Sequence, residues 1–223
     1  MLKQSEENME TLDFLPNTDI YLFQRKDMFR MNTDTALLGN FMKIKEEESV
    51  LDIGTNNGAL LLYASRFTKG KLIGVDIQED ACQQAIKNLD YNQITNYEIL
   101  CGDVLNLELP KVNVVVCNPP YFKNCNVNGN EKKRIARHEI FLPLSKLLEK
   151  VSSLLEDGGR FYMVHRANRL QDILYYMREN LLEVKTIQFI YDESKKEAIG
   201  ILLEAYKRGL PNCCILSPHV VKR

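Results

Sequence analysis

The sequence predicts an α/β fold built on a doubly wound, seven-stranded, mostly parallel sheet. Three observations carry that prediction. From Ser49 onward, short apolar runs rich in β-branched residues alternate with runs of helical period, the pattern of βαβ units. Leu144, Leu147, Leu148, Val151, Leu154 and Leu155 recur at the spacing of one helix face. Val184–Tyr191 and Ala198–Tyr206 then follow each other with only the polar turn 192–196 between them, so they should pair antiparallel and leave the C-terminal strand reversed.

Taken in order, the polar, acidic residues 1–11 resemble a mobile terminus. Asp19–Gln24 has strand composition, and Phe29–Met31 is its expected hairpin partner. Thr33 is the expected N-cap of a helix carrying Ala36, Leu37, Asn40 and Phe41. Residues 1–48 thus form a small N-terminal lid, and 49–223 the main domain. Strands are expected at Val50–Gly54, Lys71–Ile77, Tyr97–Cys101, Val112–Cys117 and Gly159–His165. Helices are expected at Ala59–Phe67, at Glu79–Leu89 with Cys82, Ile86 and Leu89 on one face, and from Leu170 to Leu181. Pro143 near the start of the Leu144 helix and Gly158-Gly159 after it match helix-end chemistry. The tail from Asn212 carries little signal.

Bulk properties narrow the function. Apolar residues make up 45% and charged residues 26%, as in ordinary globular proteins. A net charge of −1 is far from the basic balance of a free-standing nucleic-acid binder, so any such contact needs a local patch. The longest apolar run, Ala59–Ala64, is too short for a membrane span, and the N-terminus has no apolar signal core. The six cysteines form no C-x-x-C pair and the three histidines are scattered. A reducing cytoplasm and no metal site are expected.

In an open parallel sheet, ligands bind beyond the carboxyl ends of the strands, where strand order reverses. The first such end reads Asp52-Ile53-Gly54-Thr55-Asn56-Asn57-Gly58. It resembles a glycine turn with Asn56 at the middle glycine position, and asparagine is next best for a left-handed backbone. Asp76 ends the next strand, about 20 residues on, where an acid can accept hydrogen bonds from a ribose diol; the plainer reading is a helix cap. Asp103 follows the third strand and can accept from an amino group or merely cap a turn. The fourth end is Asn118-Pro119-Pro120-Tyr121. Two prolines fix a stiff turn. The Asn118 side-chain oxygen and the Pro119 carbonyl are acceptors beside the flat ring of Tyr121, which suits an NH2 group on a planar system.

These residues resemble the class I S-adenosylmethionine-dependent methyltransferases that carry N-P-P-Y and methylate amino groups. More narrowly, the chain resembles bacterial tRNA (valine) adenine-N6 methyltransferases. That likeness rests on 28–38 (MFRMNTDTALL), the glycine turn, 135–139 (IARHE) and 159–166 (GRFYMVHR). The resemblance implies a Rossmann-like methyltransferase fold and S-adenosylmethionine as cofactor. It implies Asp52, Gly54 and Gly58 at the methionine moiety, with Asn56 beside them. Asp76 would hold the ribose next to Ile77, and Asp103 with Val104 the adenine. Thr33 and Asp34 would close over the site, and Asn118, Pro119, Pro120 and Tyr121 would carry catalysis. The basic stretch after the motif, Lys123, Lys132, Lys133, Arg134 and Arg137, with His138, suits an RNA backbone, most simply tRNA; a solvated loop is the plainer reading. The alternatives are a protein glutamine N5-methyltransferase, since that amide is also an NH2 on an sp² carbon, and a non-catalytic RNA-binding relative, for which Asn56 is the one support.

Overall fold

The computed structural model describes residues 10–119 and 142–222, which divide into two units, Met1–Glu108 with Val112–Cys117 and Leu109–Lys111 with Asn118–Arg223. The first unit opens on an antiparallel hairpin of β1 (Glu10–Phe14) and β2 (Tyr21–Arg25). The expected partner of β2, Phe29–Met31, is not a strand, because side chains claim its backbone. The Met31 N–H donates to Gln24 Oε1 at 2.7 Å, and the Phe29 carbonyl accepts from Asn56 Nδ2 at 2.8 Å. β1 was hidden inside an acidic opening because it puts Asp13 on the face shared with Leu22 and Gln24. There Asp13 accepts from Gln24 Nε2 and Arg30 Nη2 at 2.6 and 2.7 Å. Helix α1 (Thr33–Phe41) follows. Its cap is Asn32, one residue before the expected Thr33, and Asn32 Oδ1 accepts the Thr35 N–H at 3.0 Å.

Next come β3 (Val50–Ile53), α2 (Ala59–Ala64), β4 (Leu72–Asp76), α3 (Glu79–Tyr91), β5 (Tyr97–Cys101) and β6 (Val112–Cys117). β3 pairs parallel with β4 on one flank and β6 on the other, and β5 lies parallel beyond β4. The chain steps outward from β3 to β5 and returns to the far side of β3. Strand order therefore reverses between β3 and β6, which is a topological switch point. All four strands run the same way, so Ile53, Asp76, Cys101 and Cys117 end at one edge.

α2 is buried at every position. A helix apolar all round needs cover on all sides, and α1 supplies the side away from the strands. The cover is close. A Cβ on Gly39 of α1 would lie 2.3 Å from ring atoms of Tyr63 in α2, and Tyr63 is 0% exposed. α3 buries Ala81, Cys82, Ala85, Asn88 and Leu89, whereas Ile86, expected on that face, turns outward. The reason is hydrogen bonding: Asn88, a polar residue on the inner stripe, has partners there.

The second unit contains α4 (Leu144–Leu154), β7 (Leu155–His165), a 3₁₀ turn (Ala167–Arg169), α5 (Leu170–Glu179), β8 (Leu182–Asp192) and β9 (Ala198–Lys207). β9 lies between β7 and β8 and runs antiparallel to both, so it is the expected reversed strand. α4 passes straight into β7, and Gly158 and Gly159 fall inside that strand rather than beyond a helix end. Leu181 lies outside α5 with a φ of 57°. The tail adds β10 (Cys214–Ile215) and β11 (His219–Val221), both parallel to β8. Pieces this short have no readable period. Glu204, buried in β9, is satisfied: Tyr162 Oη and Thr186 Oγ1 donate to its two oxygens at 2.8 and 2.6 Å.

Gly39→Ala tests the packing of α1 on α2. An alanine inside a helix normally gains about 1 kcal/mol over glycine. Here the clash with the buried Tyr63 ring reverses the sign, and urea unfolding should show a net loss of about 1–3 kcal/mol.

Candidate active site

The site is built on the edge where β3, β4, β5 and β6 end. The turn after β3 is held to β4 by the Gly54 and Thr55 N–H groups, both donating to the Val75 carbonyl at 2.8 and 3.0 Å. Three of its residues have left-handed backbones, Gly54 (φ 76°), Asn56 (φ 49°) and Gly58 (φ 79°). A Cβ on Gly54 would meet nothing within 4 Å, so this glycine answers to backbone conformation and faces open space. Gly58 has another reason: its Cβ would sit 3.3 Å from Ala85, where α3 crosses the start of α2.

Asp52 sits in β3 with 0% exposure. Its two oxygens and the Thr55 hydroxyl are the buried side-chain polar atoms without a hydrogen-bond partner among the described residues. Burial pushes the Asp52 carboxyl up to about 7. The Thr55 hydroxyl works against that shift without reaching hydrogen-bond geometry, and the Asp76 carboxylate adds to it. Burial, reinforced by Asp52, holds the Cys117 thiol well above its ordinary range, so this cysteine is an inert part of the wall.

Asp76 is 8% exposed at the end of β4. Its Oδ2 accepts the Asn56 N–H at 2.9 Å and its Oδ1 the Gln78 N–H at 3.0 Å. The carboxylate is thus oriented by both neighbouring turns, and each oxygen keeps a lone pair for a further donor. Both sequence readings of Asp76 are therefore compatible, because the cap also aims the acid. Beside it Ile77 is 50% exposed, a branched apolar surface at the mouth of the site. Asp103 caps its own turn, accepting from the Leu105 N–H at 3.0 Å and Asn106 Nδ2 at 2.9 Å. Val104 behind it is buried.

The chain leaves β6 at this edge as Asn118 and Pro119, both half-buried. Cys117 is the register partner of Ile53, so Asn118 is the first residue beyond the strand pair that carries Asp52. Thr33 is exposed and Asp34 half-buried at the start of α1. Pro120, Tyr121, Lys123, Lys132, Lys133, Arg134, Arg137 and His138 lie outside the described residues. Among the described residues, no group of three or more His, Cys, Asp and Glu side chains could hold a metal ion, and no helix is long and apolar enough to cross a membrane.

Sequence reasoning missed the polar side chains that wire the hairpin to the turn. Asn88 in α3 accepts the Phe23 N–H at 2.7 Å and donates to the Phe23 carbonyl at 3.0 Å and the Asn57 carbonyl at 2.9 Å. Its amide thus substitutes for a strand alongside β2. Asn57 Nδ2 in turn reaches Gln24 Oε1 at 3.4 Å. The available signal was Asn88 itself, a polar residue on the buried stripe of an amphipathic helix.

Comparisons with known proteins give the family. A family model described as a methyltransferase domain matches residues 44–204. The tRNA1(Val) (adenine(37)-N6)-methyltransferase of Porphyromonas gingivalis is 31% identical over 194 residues, covering 76% of this chain and 76% of its own. The enzyme of the same name from Pedobacter heparinus is 32% identical over 181 residues, covering 79% of this chain and 77% of its own. Among solved structures, a tRNA methyltransferase from M. jannaschii superposes with a TM-score of 0.68 at 15% identity, covering 91% of this chain and 58% of that one, a likeness of fold. The family match over most of the chain, together with relatives above 30% identity across about three quarters of both sequences, establishes that this protein belongs to the methyltransferase domain family, alongside the tRNA1(Val) (adenine(37)-N6)-methyltransferases.

Proposed function

We propose that this methyltransferase transfers a methyl group from S-adenosylmethionine to the N6 amino group of an adenine in tRNA, next to the anticodon, in the cytoplasm. The observation that carries the reading is the emergence of Asn118-Pro119 from β6 at the strand-end edge that also bears Asp52, Asp76 and Asp103. The named activity of the relatives in Porphyromonas gingivalis and Pedobacter heparinus supports the tRNA target over a protein glutamine. Asn56, the one support for a non-catalytic protein, keeps the left-handed backbone the turn requires.

The residues fit the cofactor. A buried, unpartnered Asp52 offers acceptors to a cationic amino-acid end, and the open face of Gly54 lets backbone come close to it. Asp76 has lone pairs left for a ribose diol, and Ile77 offers an apolar face to a purine. When bound, S-adenosylmethionine supplies an electrophilic methyl group on a sulfonium.

The protein's own contribution is positioning. An adenine amino group is a weak nucleophile because its lone pair is delocalised into the ring. The Asn118 side-chain oxygen and the Pro119 carbonyl would each accept one of its N–H bonds. That holds the nitrogen pyramidal and stabilises the positive charge developing on it. Alignment of nucleophile and methyl group contributes much of the rest. Tyr121, two residues after Pro119 in sequence, would stack on the target base, worth roughly 1–3 kcal/mol. A base in a loop is unpaired, so extruding it costs less than flipping it from a duplex.

Asn118→Ala should lower turnover by about 100-fold or more while leaving S-adenosylmethionine affinity within about twofold; survival of turnover would eliminate the acceptor mechanism. The elevated Asp52 pKa gives a pH signature. In the unfolded chain this carboxyl ionises near ~3.9, in the free folded protein near about 7. The folded protein therefore holds an extra proton between those values, and the stability it supplies is lost as pH rises through 7. Asp52→Asn should flatten that slope in thermal melts and leave the free protein more stable than wild type at pH 8. Calorimetry on the wild type should show cofactor affinity increasing across the same range, as the carboxylate forms opposite the cation. The target itself is tested by nucleoside mass spectrometry of tRNA from cells with and without the gene: N6-methyladenosine should disappear with the gene, and an unchanged level rules out tRNA.

A further inference from the structure

The glycine turn carries an asparagine at its middle position, and that asparagine does more than tolerate the backbone. Asn56 uses its two amide groups in opposite directions. Its main-chain N–H donates to Asp76 Oδ2 at 2.9 Å, on the β4 side of the site. Its side-chain Nδ2 donates to the Phe29 carbonyl at 2.8 Å, on the N-terminal segment. A glycine there would keep the first bond and lose the second.

The segment it grips has no regular structure of its own. Residues 26–32 connect β2 to α1 and are held by side chains. Met31 N–H donates to Gln24 Oε1, Arg30 reaches Asp13 and Thr11, and Asn32 caps α1. One residue beyond that cap come Thr33 and Asp34, exposed and half-buried. α1 itself packs closely, with Gly39 against the buried Tyr63 ring. Asn56 thus adds a hold at Phe29 to those at Arg30 and Met31, and the helix that follows is packed at Gly39.

We infer that Asn56 is a positioning residue that ties the segment 29–34 to the cofactor turn, so that cofactor retention in this protein depends on its N-terminal segment. The inference rests on the S-adenosylmethionine reading above for its effect on affinity, but not for the tether itself. Asn56 contributes through Phe29 and acts on the cofactor only by holding Thr33 and Asp34 in place. An asparagine at the middle glycine position then strengthens the site rather than weakening it.

The test is Asn56→Gly, which preserves the left-handed turn and removes only the side-chain donor. Hydrogen exchange is measured on the free protein over residues 26–34, with a buried strand such as Val114–Val116 as internal reference, and S-adenosylmethionine affinity by calorimetry. Exchange over 26–34 should accelerate about three- to tenfold, as expected for one lost, exposed hydrogen bond, with the reference strand unchanged. The dissociation constant should rise by a similar factor. Unchanged exchange overturns the tether. A weaker dissociation constant with unchanged exchange would mean that Asn56 touches the cofactor directly and overturns the positioning role. If N56G does not fold, Asn56→Asp serves, because aspartate keeps the volume and the left-handed backbone but cannot donate to the Phe29 carbonyl. A wild-type protein that fails to bind S-adenosylmethionine overturns the cofactor reading, and the exchange of the free protein still decides the tether.

Discussion

Parallel pairing of β3 with β4 on one side and β6 on the other is the constraint on which the rest of the first unit depends. A parallel strand must start from the same edge as its neighbour, so each connection has to cross back over the sheet. Placing β6 beside β3 makes two successive crossovers diverge at that edge. Asp52, the glycine turn, Asp76, Asp103 and the exit of β6 all collect there. Chemistry at this edge follows from topology before any side chain is chosen.

Two kinds of buried polar group occur in this protein, and they differ in what they do. Asn88 and Glu204 are buried with good partners, which turns a desolvation cost into fixed geometry. Asn88 locks the hairpin to α3, and Glu204 knits β7 to β8 across β9. Asp52 is buried without partners, and its carboxyl is raised accordingly. A group left in that condition is a standing cost to the fold. Its place is at the foot of the glycine turn, one residue before the end of β3.

The N-terminal segment is best understood through the helix it covers. α2 is apolar at each of its positions and could not face water. α1 covers it, with Gly39 chosen for closeness to Tyr63, and Tyr63 Oη reaches the Pro16 carbonyl at 3.1 Å. The hairpin meanwhile is held to α3 through Asn88 and to Gln84, whose Nε2 donates to the Phe23 carbonyl at 3.1 Å. The segment before Ser49 is therefore part of the first unit's packing.

The sequence alone determined the alternation of strands and helices after Ser49, the reversed strand and the strand-end acids. Those depend on local hydrophobic period and on residue types that have few other uses at strand ends. It also singled out Asn118-Pro119 as a candidate acceptor pair, because prolines constrain the backbone wherever they stand. Tertiary structure decided what local pattern cannot encode. The partner of β2 was Glu10–Phe14 and not Phe29–Met31, because Gln24 and Asn56 take the latter's backbone groups from 7 and 27 residues away. The tail became β10 and β11 only because β8 offered them an edge. Asn56 shows the division most clearly. In sequence it is a departure from a glycine pattern, and only the fold brings it to the carbonyl that gives the departure a use.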